Sequence, residues 1–477
     1  MSSCREWFSF GAMTLLVELS SGSLHGQSRN NKNTRCEEIH NLPHSNSFRI
    51  LVVGSGLTGV LTALRIRQRL ESEQKKINSS QKNYLSTHER KKITINDRNI
   101  EVHVVERATY PAGRFGAMTN YQTCIADIGA QVLSTVNPYD PRAMGGHGIG
   151  LSDIELSNVV VQDLLSSGLL RPAPNQSLSH TDERMIWEDL WQHYLPTKSM
   201  KDVLEFILKR ANTQPNFGIR IDSIKVDDSG NKLLQVKGIS RVACSNSKLR
   251  KEVPFSNTYN CVVFCIPAPD VCAISGILDM LDRDSRMVLE NVEYDQRTCE
   301  AHFFSSKLLP FLSQAFGSAI EQNVDEESVL KKESVIQYIS LQNAKRHQLV
   351  DMTENKDEVC SVVLHGKAGH LFSREQSKSC LDQKLSALTG LSEAEISSYR
   401  LCSKSISWKT SQMVRPMESI ISDPPNCWQC LKNSNGTLIL AGDYMTQSSF
   451  LGCIATADAA ARVVLDTILT KNSGSRS

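Results

Sequence analysis

The apolar run Ile50-Leu51-Val52-Val53 is followed at once by Gly54-Ser55-Gly56-Leu57-Thr58-Gly59, which leads into a helical stretch from Leu57 to Leu70. A continuous apolar run of this length reads as a parallel strand buried on both faces. A first glycine at its end permits a tight reversal, a second leaves no side chain between backbone and ligand, and a third lets the helix pack closely on the strand. The amides and positive dipole end of that helix then face a pyrophosphate. The spacing therefore predicts an α/β fold with a dinucleotide site at the carboxyl end of the first strand. Gly54, Ser55, Gly56, Thr58 and Gly59 are the cofactor-binding candidates of this turn.

The next strand, Ile100 to Val105, ends on Glu106. In dinucleotide folds an acidic residue stands there to accept ribose hydroxyls, normally about 20 residues beyond the glycines. Here the separation from Gly59 is 106 − 59 = 47 residues. A polar insertion over 71–99, carrying Lys75-Lys76 and Arg90-Lys91-Lys92, accounts for the excess. Gly113-Arg114 follows within Pro111 to Gly116. A plain NAD dehydrogenase has no use for an arginine in this turn, whereas in an FAD protein it meets the second phosphate as a charge-assisted donor. The expected cofactor is FAD. Small residues in Ile125 to Gln131 let the backbone pass close to a bound ring system. Near the C-terminus, the strand Thr437 to Leu440 runs into Gly442-Asp443, then Gln447 to Ala455 and an apolar helix through Leu465. Asp443 is expected to bind the ribityl hydroxyls. The amides of Gly452, Cys453 and Ile454 are expected at the flavin N1/C2 edge, where negative charge develops on reduction.

With 477 residues, 40% of them hydrophobic and 22% charged, the chain is large enough for two or three soluble domains. Lys and Arg total 53 against 51 Asp and Glu, so a net charge of +2 points to neither nucleic acid nor a membrane surface as partner. Fourteen cysteines without a closely spaced framework fit a reducing compartment, and a cytoplasmic location is expected. Cys427-Trp-Gln-Cys430 lacks the second pair or the histidines that zinc requires, so no metal site is expected. Residues 1–47 read as a disordered extension. Trp7 to Leu19 is apolar, interrupted by Glu18 and followed by the small residues Ser20 to Ser23, so a cleaved signal and secretion are the alternative. Residues 471–477 read as a disordered tail.

Leu51 to Gly59, Gly113-Arg114, Ala126 to Gln131, Ser340 to Arg346, Ile406 to Lys409 and Gly442 to Ile454 together resemble the renalase family of the FAD-dependent amine oxidase superfamily, in order, over residues 48–470. By that resemblance Thr58, Arg114, Gln131 and Val132 touch FAD, with Asp443 and the Gly452 to Ile454 amides. It also implies an oxidase of isomeric dihydro forms of NAD(P), returning NAD(P)+, with O2 as the final acceptor and hydrogen peroxide as product. Such hydride chemistry needs stacking and exclusion of water, so no proton-transfer catalyst is assigned. Trp408 and Tyr444 are candidates to wall the substrate cavity. Asn343, with Lys345 and Arg346, is a candidate for substrate amide or phosphate groups. Ala112, Phe115 and Val132 depart from the family pattern of glycine, methionine and an aromatic residue. Two alternatives stand beside this reading: a monoamine or polyamine oxidase, and a non-catalytic interaction protein that keeps the fold.

Cofactor candidates at both ends of the chain predict a doubly wound, Rossmann-like FAD-binding domain interleaved with a smaller α+β substrate domain. The cofactor domain takes 48–135, 201–269 and 425–470, and the substrate domain 136–200 and 270–424. Lys201 to Lys209 reads as a helix and Tyr259 to Pro267 as a buried strand. Cys299 to Phe304, Ser334 to Ser340 and Val359 to His365 read as antiparallel strands of the substrate domain.

Overall fold

In the computed structural model, successive residues of β1 (Ser47–Val53) bury on opposite sides: Phe48, Ile50 and Val52 enter one apolar cluster, Leu51 and Val53 another. The structure describes residues 47–80, 93–95, 98–111, 113–136, 149–173, 191–227, 233–243, 250–316, 321–323, 336–346, 359–415 and 429–473. The N-terminal extension, the middle of the polar insertion, Ala112, Cys427 and the last four residues lie outside the described residues.

A strand that is apolar on both faces has to be covered on both. β1 pairs in parallel with β3 (Arg98–Glu106) on one side and β13 (Cys261–Phe264) on the other. β22 (Leu438–Leu440) adds in parallel to β13, and the short β9 (Pro215–Phe217) to β3. β2 (Thr94–Ile95) and β21 (Leu431–Lys432) add antiparallel to β3 and β22. The chain leaves β1 for β3 on one side and reaches β13 on the other, so the glycine turn stands at a topological switch point, where open α/β sheets bind ligands.

One face of this sheet lies under α1 (Leu57–Ser80), α3 (Leu151–Ser166), α4 (Met200–Arg210) and α11 (Phe450–Ser473). α1 carries Lys75-Lys76, so the start of the insertion is helical. α4 matches the expected helix: Val203, Leu204, Ile207 and Leu208 are buried and Ser199 caps it by accepting from the Asp202 amide. The antiparallel set β6 (Leu133–Val136), β7 (Leu170–Pro172) and β8 (Trp191–Pro196) adds to this side through Leu133, Leu170 and Tyr194. The other face is covered by the meander β10 (Ile219–Val226), β11 (Leu234–Ala243) and β12 (Arg250–Tyr259), with α5 (Ala268–Cys272) and α6 (Arg283–Glu290). Ile221, Val236, Val271 and Val288 meet Leu51, Phe264 and Leu440 there.

A second, five-stranded antiparallel sheet runs β16 (Glu321–Asn323), β17 (Ile336–Leu341), β18 (Val359–Gly366), β15 (Arg297–Ser305) and β19 (Arg400–Trp408). Its outer face packs beneath α7 (Leu309–Phe316), α9 (Arg374–Thr389) and α10 (Glu393–Tyr399) through Phe304, Leu341, Val362, Leu364 and Leu381. The inner face meets the hairpin β4 (Met118–Tyr121) and β5 (Cys124–Asp127), where Ala126 and Ile128 touch Ala301, Phe303 and Val363. The turn helix α2 (Gly113–Gly116) precedes that hairpin, α8 (Gln342–Lys345) follows β17 directly, and β14 (Glu293–Tyr294) pairs with β20 (Met413–Arg415) as a short ribbon.

Two segments expected in the substrate domain pack elsewhere. Ile154, Val161 and Leu164 of α3 join Ile50 and Ile454 in one cluster, and Val271, Val288 and Leu289 join Leu51 in the other. Their buried faces set 151–173 and 270–292 against the parallel sheet. No helix among the described residues is long and apolar enough to cross a membrane.

Candidate functional site

At the end of β1 the chain reverses at Gly54, whose φ of 99° lies in the region that glycine reaches without steric cost, and its amide donates to the Val105 carbonyl at 2.8 Å. Glu106, buried at the end of β3, accepts from the Ser55 amide at 2.8 Å, the Ser55 hydroxyl at 3.1 Å and the Ala108 amide at 2.9 Å. A carboxylate has roughly four acceptor sites, so one is left for a ribose hydroxyl. Gly56 faces the Gly-Arg turn: a Cβ on Gly113 would lie 3.1 Å from the Gly56 Cα. Glycine at 113, with a φ of 53°, lets these two turns meet, and the meeting places Arg114 beside the helix start. Thr58 is buried in the first turn of α1, within reach of Cys453. Gly59 packs against the Gly54 carbonyl, as a helix hugging its strand requires.

Arg114 and Asp443, 329 residues apart, form a bidentate pair: Nη2 donates to Oδ1 at 2.8 Å and Nη1 stands 2.8 Å from Oδ2. Nη1 also donates to the Ser411 carbonyl at 2.9 Å. Of the five guanidinium donors, the Nε hydrogen and the second Nη2 hydrogen have no acceptor among the described residues. They lie on one edge of the planar group, a fork suited to two phosphate oxygens. The Asp443 carboxylate also accepts from the Tyr294 hydroxyl at 3.1 Å and the Ser448 hydroxyl at 2.5 Å. Burial alone would raise its pKa, but the charge and hydrogen bonds of Arg114, with Ser448 and Tyr294, hold it below the usual carboxylate range. Four donors fill its acceptor sites, so the expected ribityl contact of Asp443 finds no open lone pair in this geometry.

The α11 amides also depart from expectation. The helix begins at Phe450, Gly452 N donates to the Ser449 hydroxyl at 3.0 Å, and Cys453 N to the Ser449 carbonyl at 3.0 Å. Ile454 lies inside the helical ladder. The first-turn amides left to face a ligand are those of Phe450 and Leu451, because the helix starts two residues earlier than Gly452. Just before it, the buried Thr446 Oγ1 meets no protein partner among the described residues. Gly442 precedes Asp443 in extended backbone, and burial pushes the Cys453 thiol up to about 12, so it stays protonated.

Where the hairpin meets the second sheet, Asp127, Gln131 and Lys345 form a buried polar knot. Lys345 Nζ, fully buried, lies 3.0 Å from Gln131 Oε1 and 3.4 Å from Asp127 Oδ2. Arg346 donates to Asp127 Oδ2 at 3.0 Å, and Gln342 Nε2 to Gln131 Oε1 at 2.8 Å. Gln131 is thus engaged by the second sheet, and its half-buried neighbour Val132 leads into β6. Asn343 Oδ1 accepts from the Ser361 amide at 3.0 Å, so this candidate substrate contact ties α8 to β18 instead. Tyr444 is likewise no cavity wall. It is fully buried against Leu51, Phe264 and Leu440, with its ring pressed on Gly442.

The inner face of the second sheet carries residues that the sequence reading passed over. Tyr338 stacks on His365 with ring centroids 4.5 Å apart and an interplanar angle of 18°. His365 Nδ1 lies 3.4 Å from Cys299 Sγ, and its Nε2 has no protein partner among the described residues. Burial, then Lys345, then Arg297 push His365 down to about 3, so the ring is neutral, and burial lifts the Cys299 thiol to about 12. Trp408 stands opposite Arg297 in β19 and packs on the same face, so it does join this group. The signal available in the sequence was the strict alternation of β15 and β18, which puts Cys299, Ala301 and Phe303 on one side together with Ser361, Val363 and His365.

The free Arg114 fork, the Gly56–Gly113 approach, the open acceptor site on Glu106 and the unpartnered Thr446 hydroxyl fit FAD. No protein-family model matches the chain. Renalase from Mus musculus is 21% identical over 343 residues, covering 69% of this chain and 86% of that protein. The chain resembles renalase. Among solved structures, a putrescine oxidase variant with redesigned cofactor binding superposes with a TM-score of 0.45 at 8% identity, covering 88% of this chain and 99% of that one.

Proposed function

We propose that the chain is an FAD-dependent oxidase of the renalase kind, acting on isomeric dihydro-NAD(P) and returning NAD(P)+. The observation that carries this reading is the aromatic stack on the inner face. Lys345 and Arg297 both help to hold His365 neutral, and the Tyr338–His365 stack presents a flat aromatic surface. Both cations are paired with carboxylates, Lys345 with Asp127 and Arg297 with Asp295, and a neutral dihydropyridine ring finds a stacking wall there. FAD, when bound, supplies a two-electron acceptor that O2 regenerates, releasing hydrogen peroxide. The protein's part is to anchor the dinucleotide by Arg114 and Glu106, hold the substrate ring by Tyr338, His365 and Trp408, and keep water out.

The dihydropyridine gives up two electrons and one proton, O2 takes up two electrons and two protons, and the second proton comes from solvent. No side chain has to relay it. The amine oxidase reading keeps one observation in its favour, the fully buried Lys345, but that ammonium is already tied to Gln131 and Asp127. Hydrogen peroxide release from dihydro-NAD(P) isomers, set against monoamines and polyamines, separates the two. Turnover of amines alone overturns the proposal.

A further inference from the structure

Asp443 saturated with donors and Arg114 with one edge open together describe a built orienting device, and Tyr294 touches both of them. Tyr294 lies in β14, held by pairing with β20, and the segment that leads into β20 supplies the Ser411 carbonyl to Arg114. Its hydroxyl donates to Asp443 Oδ1 at 3.1 Å, while its ring lies under the guanidinium, 5.3 Å from Arg114 Cζ to the centroid. Ser448 holds the other carboxylate oxygen and itself accepts from the Met413 amide of β20 at 2.9 Å. The carboxylate is fixed from both oxygens by groups other than Arg114, and the guanidinium is fixed by the carboxylate, the Ser411 carbonyl and the phenol ring.

We propose that Tyr294 is a cofactor-positioning residue: with Ser448 it orients Asp443, which in turn aims the free Nε/Nη2 edge of Arg114 at the cofactor phosphate. This rests on the FAD reading above. Asp443 then acts on the cofactor through Arg114. A phenol-to-carboxylate bond is a charge-assisted one, and a guanidinium over a desolvated ring adds cation–π attraction. Tyr294→Phe removes the first and keeps the second, which makes it the informative change.

The test is fluorescence titration of apoprotein with FAD across a pH series, comparing the wild type with Tyr294→Phe and Ser448→Ala. Each variant is expected to bind FAD about tenfold more weakly at neutral pH. Affinity is also expected to fail at a higher pH than in the wild type as the solution is acidified, because Asp443 has lost a donor that favours its ionised form. Arg114, Tyr294, Tyr444 and Cys453 are the titratable groups facing that carboxylate. Of these only Arg114 is charged at neutral pH, and Glu106, the other carboxylate of the cofactor site, is the same in all three proteins, so the shift of the acid limb between wild type and variant reports Asp443. Wild-type affinity and an unmoved acid limb in Tyr294→Phe overturn the positioning role while leaving the FAD site standing. A wild-type protein that binds no FAD overturns both. Should Tyr294→Phe fail to fold, Ser448→Ala decides, with unchanged binding counting against the proposal.

Discussion

At the scale of single residues, the site depends on groups whose freedom has been removed. Gly54 holds a φ of 99°, and a Cβ there would lie 2.7 Å from the Cys265 carbonyl oxygen. Gly54→Ala is expected to cost at least about 2 kcal/mol, read as a lower urea midpoint with unchanged slope; an unchanged midpoint contradicts the account. His365 makes a pH-dependent contribution whose sign follows from its depressed value. The unfolded ring takes up a proton near pH 6.5, roughly its free value, while the folded ring stays neutral down to about 3. Its share of stability is therefore complete above the unfolded value and is lost as pH falls through that window, at up to about 1.4 kcal/mol per pH unit. His365→Leu is expected to flatten the stability profile between pH 6.5 and 5. The other depressed histidines, His103 and His302, are present in both proteins and cancel. Equal slopes count against the buried neutral ring.

Between elements, the joint that matters is α8 against the end of β5. Asp127, fully buried, faces both Lys345 and Arg346. Asp127→Ala leaves two cations without their carboxylate and is expected to destabilise by about 3–5 kcal/mol. Lys345→Met leaves the Asp127–Arg346 pair intact, so denaturant titration is expected to give it a smaller loss; the reverse order contradicts the assignment of Asp127 as the shared counter-ion. Much of this level was legible beforehand. β15, β17 and β18 alternate in hydrophobicity or run continuously apolar, and α4 shows its buried stripe at helical spacing. The meander escaped because β12 opens Arg-Lys-Glu and is exposed along most of its length, which erases the alternation that marks a half-buried strand. The start of α11 was misplaced because Ser449, at its head, bonds the Gly452 amide with its side chain, a local arrangement that composition does not reveal.

For the molecule as a whole, the dinucleotide turn was readable because strand, glycines and helix are contiguous, and the chemistry there is set by neighbours in sequence. The rest of the site is assembled from afar. Arg114 meets Asp443 across 329 residues, Lys345 meets Asp127 across 218, and His365 lies near Cys299 across 66. Sequence identifies such residues one at a time but not their company, so it does not show that Tyr294 meets Asp443, that Tyr338 stacks on His365, that Tyr444 is buried in the core or that Asn343 bonds the Ser361 amide. The structure turns a glycine motif into a two-sheet molecule with Arg114 and Glu106 at the glycine turn and an aromatic stack, Tyr338 on His365, on the second sheet. The most direct test of that account is anaerobic stopped-flow absorbance of the FAD-loaded protein mixed with dihydro-NAD isomers and, separately, with amines. Rapid loss of the flavin band with the dihydropyridines and none with amines is the predicted result; bleaching by amines alone, or no bleaching by either, contradicts it.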